Sequence, residues 1–359
     1  MIVNSGIQQA GVGVRDVGEA FSWYCQKLGF DIPVIDDTGV ADRMLPYTGG
    51  KPRGRHAVLA INLGGGGGLE IWQYTTRDPE PPGFAPQAGD LGIYTVKLGA
   101  PDIEKAFKEL TARGVETLGG PAEGPCGVRS FHIKDPYGNL FRVEENSAVF
   151  AKTPAVNTGV RGVVIGVSDL DASVAFYREF LGYDRVLSDE KGVFSDIIAL
   201  PGGDGTFRRA LLSAERPRAG AFSRLLGPSY IELLQVLDRQ PRKIFENRLW
   251  GDLGFIHLCF DVRGMDELKA LCAEKGRPFT ADSCPEEGAA FDMGMASGRF
   301  AYIEDPDGAL IEYVETYKIP LLKRPPLSLK LRGRPPEKPL PGCLLKALRL
   351  GRRKQRLRE

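Results

Sequence analysis

A duplicated stretch of sequence constrains this chain more than any other feature. The stretches are NSGIQQAGVGVRDVGEAFSWY at residues 4–24 and NTGVRGVVIGVSDLDASVAFY at residues 157–177. Asn, Gly, Val, Asp and Tyr recur in register at a constant offset of 153 residues. Such an offset indicates a duplicated domain, and 359 residues suffice for two domains that each bury a core. Positions at which the copies differ in chemistry then point to the copy that carries a site.

Composition excludes several other classes of protein. Hydrophobic residues make up 42% and charged residues 26% of the chain, as is usual for globular proteins. No apolar run approaches the roughly 18–20 residues of a membrane span, and the N-terminal residues do not resemble a signal peptide. Six scattered cysteines without a CxxC motif indicate reduced thiols, neither disulfides nor a cysteine metal site. We therefore expect a cytoplasmic protein.

Charge is unevenly distributed along the chain. Residues 323–359 contain 13 Lys and Arg against two Glu, a net charge of +11, so the remainder carries 1 − 11 = −10. Prolines in this tail favour an extended, disordered segment that aids solubility. The alternatives are contact with an anionic membrane surface or nucleic acid, or docking on the acidic body of this or a second chain. Nucleic-acid binding by the body itself is not expected.

Each copy divides again into two smaller units. Helices are predicted at Val17–Leu28, 101–113, Leu170–Leu181 and 265–275, each preceded by one strand and followed by others. Asp16 is placed to cap the first helix. The turns DPYGN at 135–139 and DPDGA at 305–309 close the copies at an offset of 170 residues. The sequence therefore predicts an α+β fold of four βαβββ modules.

Two further segments invite interpretation. The five glycines at residues 64–68 precede a strand and lack the GK[ST] of a phosphate loop, so we interpret them as a mobile hairpin turn. The loop at 238–252 contains basic and aromatic residues, including Trp250. It is either a contact for an anionic or aromatic substrate or a solvated surface loop.

The order βαβββ, the Val-x-Asp before the first helix, the aromatic–Tyr pair within it and the DPxG turn resemble the vicinal oxygen chelate superfamily. This superfamily includes glyoxalase I, extradiol dioxygenases, methylmalonyl-CoA epimerase and antibiotic-resistance proteins. The resemblance covers residue 5 to about 317 and implies that modules pair into two glyoxalase-like domains. We expect these at 1–150 and 155–320, followed by the basic tail at 321–359. Consecutive modules are expected to pair.

The resemblance also implies positions for metal ligands, on the first and last strand of each module. In the first pair of modules these positions are Gln9, Glu70, Ile93 and Arg142. Ile is no ligand and a guanidinium does not bind metals, so the N-terminal domain is expected to be metal-free. Arg142 would there form a charge pair with Glu70 or bind an anionic ligand, together with Gln9.

In the second pair the corresponding positions are Gly162, Glu232, His257 and Glu312. One imidazole and two carboxylates suit Mn²⁺, Fe²⁺, Zn²⁺, Ni²⁺ or Co²⁺. Glu232 or Glu312 would act as the base. The resemblance places Tyr302 against the substrate, and His132 is its counterpart in the first pair. The alternative for His257 is a buried core histidine.

These residues imply a metal-dependent enzyme of lyase, isomerase, epimerase or dioxygenase type, acting on a small molecule with vicinal oxygens. A standard extradiol mechanism needs more histidines than this chain has, since only His257 of the three lies in the second half. The alternative is a metal-free protein that binds or sequesters a small molecule, as bleomycin-resistance proteins do. Either would be a monomer or a homodimer.

Overall fold

The computed structural model describes residues 1–286, 290–292, 297–322 and 327–353. Four modules follow one another along the described chain, and the predicted α+β architecture is confirmed. The elements of the first two modules are β1 (Val3–Gly13), α1 (Val17–Leu28), β2 (Ile32–Val40), β3 (Gly54–Ile61), β4 (Gly68–Tyr74), β5 (Gly92–Ala100), α2 (Ile103–Ala112), β6 (Glu116–Glu123), β7 (Arg129–Lys134) and β8 (Leu140–Glu145).

The third and fourth modules repeat this order with additional short elements. Their elements are β9 (Val160–Gly166), α3 (Leu170–Leu181), β10 (Arg185–Gly192), β11 (Phe207–Ser213), α4 (Ser223–Leu226), β12 (Tyr230–Val236), β13 (Gly254–Arg263), α5 (Met265–Glu274), β14 (Ala281–Asp282), β15 (Phe291–Asp292), β16 (Ser297–Glu304) and β17 (Leu310–Leu322). The C-terminal segment adds β18 (Leu327–Lys330), α6 (Gly342–Lys346) and a 3₁₀ helix (Ala347–Gly351).

The duplicated stretch folds as a strand and a capped helix in both copies. Asp16 accepts a hydrogen bond from the Glu19 amide at 2.8 Å, which satisfies a free donor at the start of α1. Asp169 caps α3 in the same way. Each helix ends at a glycine in the left-handed conformation, Gly29 and Gly182. The predicted limits of both helices are confirmed.

The modules pair differently from the prediction. The first sheet has the strand order β14-β16-β17-β13-β1-β4-β3-β2, with β15 and β18 at its edge, and therefore joins the first module to the fourth. The second sheet, β10-β11-β12-β9-β5-β8-β7-β6, joins the second module to the third. All four first strands are buried and alike in composition, so the sequence does not indicate which two lie side by side. We call the concave faces of these sheets the first cup and the second cup.

The core lies between the two sheets and includes the helices. Phe141 of β8 contacts both Tyr24 of α1 and Phe255 of β13, with ring centroids 5.9 and 5.3 Å apart. Tyr24 also donates a hydrogen bond to Asp135 at 2.5 Å, in the DPYGN turn of the next module. Tyr177 donates equivalently to Asp305 at 3.0 Å. The repeated tyrosine and the repeated turn therefore tie one sheet to the other.

The five glycines form a buried junction, and the prediction of a mobile turn is not met. They connect β3 to β4, but their backbone also bonds to the start of β9. The Gly67 amide donates to the Val160 carbonyl at 2.8 Å, and the Val160 amide donates to Gly67 at 2.8 Å. A Cβ at Gly66, where φ is +96°, would lie 2.8 Å from the carbonyl carbon of Gly159. Only glycine allows the two sheets to approach so closely.

The C-terminal segment packs against the body, so the predicted disordered tail is not observed over residues 327–353. Strand β18 pairs antiparallel with β17, and Leu331, Leu340 and Leu345 are buried. Arg352 pairs with Asp31 at 2.8 Å. Of the alternatives, docking on the body of the chain agrees with these contacts. Residues 323–326 and 354–359 lie outside the described residues. No described helix is long and apolar enough to cross a membrane.

Candidate metal centre

Four side chains from four neighbouring strands meet in the first cup. They are Gln9 of β1, Glu70 of β4, His257 of β13 and Glu312 of β17. Strand alternation explains their direction, because the neighbours of Glu70 and Glu312 point to the opposite face and belong to the core. These core neighbours are Leu69, Ile71, Ile311 and Tyr313.

The geometry of this cluster is compact. His257 Nε2 lies 3.1 Å from Oε2 of Glu70 and 3.1 Å from Oε2 of Glu312. Gln9 Nε2 lies 3.2 and 3.5 Å from the same two oxygens. Ligand atoms of Glu70, His257 and Glu312 all fall within 4.8 Å of one another. This is the spacing expected of groups that share one cation.

Unpaired buried atoms show that the cluster fits a metal. Both ring nitrogens of His257 are buried without a hydrogen bond of acceptable geometry, although two carboxylate oxygens lie 3.1 Å from Nε2. Gln9 Oε1 is also buried and unpaired. A buried polar atom without a hydrogen-bond partner or a bound ion destabilises the fold. An imidazole, two carboxylates and an amide oxygen are suitable donors for Mn²⁺, Fe²⁺, Zn²⁺, Ni²⁺ or Co²⁺.

Neighbouring residues fix the imidazole in place. A Cβ at Gly11 would lie 2.4 Å from His257 Cε1, so glycine is required opposite the ring. The Trp250 ring stacks on His257 with centroids 6.2 Å apart, and the Tyr302 ring meets it edge-on at 5.6 Å. Trp250 belongs to the loop at 238–252, for which the sequence left two interpretations open. No local signal in the sequence pointed to Gly11.

Carboxylates control the protonation of this site. Burial lowers the pKa of His257, but Glu312 and Glu70 outweigh this effect and raise it to about 10. Without a metal the imidazole is therefore protonated at neutral pH, and a cation must displace that proton to bind. Burial, followed by the charges of Glu312 and Glu70, raises the pKa of Tyr302 well above its ordinary value, so its phenol stays neutral.

Glu232 does not lie with His257 and Glu312, which corrects the predicted ligand set. Its strand, β12, belongs to the second sheet. Its carboxylate accepts hydrogen bonds from Arg209 Nε at 2.6 Å and Arg142 Nη1 at 3.1 Å. Because the first module pairs with the fourth, Glu70 takes the place in the first cup that the prediction gave to Glu232. Gln9 and Glu70, named as further ligand-binding candidates, join His257 there.

Charged side chains fill the second cup, and two of them, Arg142 and Glu232, lie at positions equivalent to Glu312 and Glu70. Thr95 pairs with Leu140 as His257 pairs with Leu310, so Thr95 and not the predicted Ile93 corresponds to His257. Three buried cations and three buried carboxylates balance one another: Lys97, Arg142, Arg209, Glu144, Asp196 and Glu232. In the part of the chain that the structure describes, the His–carboxylate cluster occurs in the first cup only.

The cations of the second cup determine how its other groups ionise. Burial raises the pKa of Glu232, but Arg209, Lys97 and Arg142 outweigh it and hold that pKa well below its usual range. Arg142 pairs with Glu232 and Asp196, rather than with Glu70 as expected. Burial and then Arg142 lower the pKa of His132 to about 3, so His132 is neutral.

Comparisons with known proteins agree with this architecture. The model of the Glyoxalase/Bleomycin resistance protein/Dioxygenase superfamily matches residues 6–143 and 159–313. Glyoxalase I from Zea mays superimposes with a TM-score of 0.51 and 15% identity, over 86% of this chain and 92% of that one. A putative dioxygenase from Bacillus subtilis subsp. subtilis str. 168 gives 0.53 and 15%, over 87% and 86%. No curated protein matches the chain. The two matched repeats cover most of the sequence, and the chain belongs to the Glyoxalase/Bleomycin resistance protein/Dioxygenase superfamily.

Proposed function

We propose that the protein is a metal-dependent enzyme that acts on a small molecule with vicinal oxygens in the first cup. The reaction belongs to the lyase, isomerase, epimerase or dioxygenase classes of this superfamily. One observation carries the proposal: the fully buried His257 ring has no hydrogen bond of acceptable geometry at either nitrogen, and its Nε2 lies 3.1 Å from the carboxylates of Glu70 and Glu312. These four residues would hold the metal. When bound, a divalent metal acts as a Lewis acid toward the substrate oxygens.

The side chains of the cup supply the remaining functions. The Glu70 side chain is 22% exposed toward the cavity, whereas that of Glu312 is 8% exposed and lies against Tyr302. Glu70 is therefore our candidate for the base that removes a proton from the substrate, with Glu312 as the second carboxylate. The neutral Tyr302 phenol can donate a hydrogen bond to an oxyanion as it forms. Trp250 covers His257 and excludes water.

A metal-free binding protein is the second candidate. Two observations favour it: protonated His257 already forms ion pairs with Glu70 and Glu312, and the adjoining cavity of about 490 Å³ is lined mainly by apolar side chains. Such a cup could sequester a hydrophobic molecule without chemistry. Metal uptake separates the two candidates.

Metal uptake tests the proposal directly. Metal-free protein is titrated with Mn²⁺, Fe²⁺, Zn²⁺, Ni²⁺ and Co²⁺ by calorimetry, and bound metal is measured after dialysis. We expect about one equivalent per chain for at least one metal, and His257→Ala to weaken its binding at least about 100-fold, because an inner ligand is lost. Uptake should also release a proton, since the imidazole must be neutral to bind a metal.

His56→Ala is the matched control, because His56 lies on β3 of the same sheet and pairs with Asp36 at the surface. We expect this variant to bind metal like the wild type. If the wild type binds less than about one-tenth of an equivalent of every metal tested, the enzyme proposal is overturned. The metal-free binding protein then remains as the candidate function. Equal uptake by wild type and His257→Ala would place the metal elsewhere.

A further inference from the structure

The cavity of the first cup extends well beyond the candidate metal centre. Its volume of about 490 Å³ is in the range of sites that enclose molecules of drug size. Beside His257 its wall consists of Trp72, Trp250 and Tyr302, which belong to one apolar cluster. The far wall belongs to a second apolar cluster. The cavity therefore connects a polar, metal-binding end to an apolar end.

The C-terminal segment builds part of that far wall. Leu348 and Leu350 of the last 3₁₀ helix line the cavity, and Leu348 shares an apolar cluster with Ile32 of β2 and Leu225 of α4, which also line it. Leu348 packs in the second apolar cluster, and Leu350 is 70% exposed at its rim. A side chain at the rim of a large apolar cavity contacts only the longer ligands that reach it.

Several independent contacts hold the segment in this position. The Leu340 amide donates to the Ala221 carbonyl at 2.9 Å, and the Arg353 amide donates to the Asp31 carbonyl at 2.9 Å. The Arg353 guanidinium also lies over the Phe21 ring at 5.1 Å. Leu340 and Leu345 are each 1% exposed. The wall is therefore anchored on both sides of Leu348 and is a fixed part of the site.

We infer that the first cup takes an amphiphilic small molecule, whose two adjacent oxygens bind at the metal centre and whose apolar chain or ring reaches Leu348. The C-terminal segment thereby sets the length of the apolar part. The inference rests on the proposed function for the polar end of the ligand. The apolar end rests on the lining of the cavity alone, so the two parts can fail separately.

A series of alkyl hydroxamic acids tests the inference, because they share a two-oxygen head and differ only in chain length. Their affinities for the full-length, Zn²⁺-loaded protein are measured by calorimetry, from acetohydroxamic to octanohydroxamic acid. We expect affinity to rise about three- to fourfold per methylene until the chain fills the cavity. Leu348→Trp should weaken octanohydroxamate about tenfold and change acetohydroxamate less than about twofold, because it blocks only the far end.

Leu344→Trp is the matched control, since Leu344 lies on the same segment and is not among the described residues that line the cavity. It should bind both hydroxamates like the wild type. Leu348→Ala provides a second variant should Leu348→Trp fold poorly, with an expected loss of about three- to tenfold for the long chain only. Affinity that is independent of chain length, or equal effects of Leu348→Trp and Leu344→Trp, would overturn the inference.

Should the protein take up no metal, the proposed function fails and the apolar end is tested alone. Fluorescence of 1-anilinonaphthalene-8-sulfonate is then titrated on the metal-free protein. Weaker binding to Leu348→Trp than to Leu344→Trp supports the inference that Leu348 forms the apolar end of the binding site. Identical binding to both variants overturns that inference.

Discussion

Glu70 and Glu232 occupy the same position in the first and third modules, yet their surroundings differ. Glu70 is a candidate metal ligand, whereas Glu232 belongs to a buried cluster of ion pairs. Each lies on the last strand of its module, beside the first strand of the same module. Glu70 meets the imidazole of His257, whereas Glu232 meets Lys97, Arg142 and Arg209. In the second cup these side chains supply the positive charge that a metal would supply in the first.

From the buried ion pairs of the second cup we predict that one isosteric substitution, at Glu232, strongly lowers the free energy of unfolding. Glu232→Gln leaves its three cationic partners with one uncompensated buried charge, and we expect a loss of about 3–5 kcal/mol in the free energy of unfolding. Urea denaturation measures it. Glu116→Gln is the control, because its ion pair with Lys134 is exposed and contributes at most about 1 kcal/mol. Similar losses in both variants would contradict this account, as would loss of metal uptake in folded Glu232→Gln.

His132 predicts a specific sensitivity to acid. Its pKa is about 3 in the fold, below the ordinary value of about 6.5, so its stabilising contribution is complete above pH 6.5 and is lost as the pH falls toward 3. We expect stability to fall by up to about 1.4 kcal/mol per pH unit from this residue, because the unfolded chain binds the proton first. His132→Gln removes this dependence. Urea midpoints of both proteins between about pH 7.5 and 4.5 should converge on acidification, and parallel curves would contradict the assignment.

Among the structural elements, the glycine run predicts where a single methyl group is not tolerated. At Gly66 the positive φ and the Cβ contact of 2.8 Å with Gly159 both oppose a side chain. We expect Gly66→Ala to lower the free energy of unfolding by at least about 2 kcal/mol. Gly120→Ala is the control, because that exposed position has open space and ordinary φ, and should change stability by less than about 1 kcal/mol. Equal urea midpoints would show that the sheet junction can relax.

The outer strands of the two sheets are the hardest elements to recognise in the sequence. Strands β2, β6 and β10 lie at the outer edges of the sheets and contain many exposed or half-buried polar residues. They lack the apolar alternation that identifies buried strands, as in IPVIDDTGV of β2. Helices α1 and α3, in contrast, carry caps and apolar periodicity in their own sequence. The first and last residues of both helices could therefore be predicted.

For the whole molecule, the pairing of modules decides the composition of the site. His257 and Glu312 lie in the fourth module, while Gln9 and Glu70 lie in the first, more than 180 residues earlier in the chain. Neither half of the duplication holds the cluster by itself. A prediction that pairs consecutive modules therefore divides the cluster between two domains and assigns Glu232 to it.

The sequence by itself determined the four modules, because caps, turns and strand periodicity are local and occur twice. The resemblance to the vicinal oxygen chelate superfamily implied that each of the four residues of the first cup occupies a ligand position. The tertiary structure decided which positions share a cup, since four similar buried strands can pair in more than one order. It likewise decided the docking of the basic tail, whose leucines find an apolar surface only after both sheets have formed.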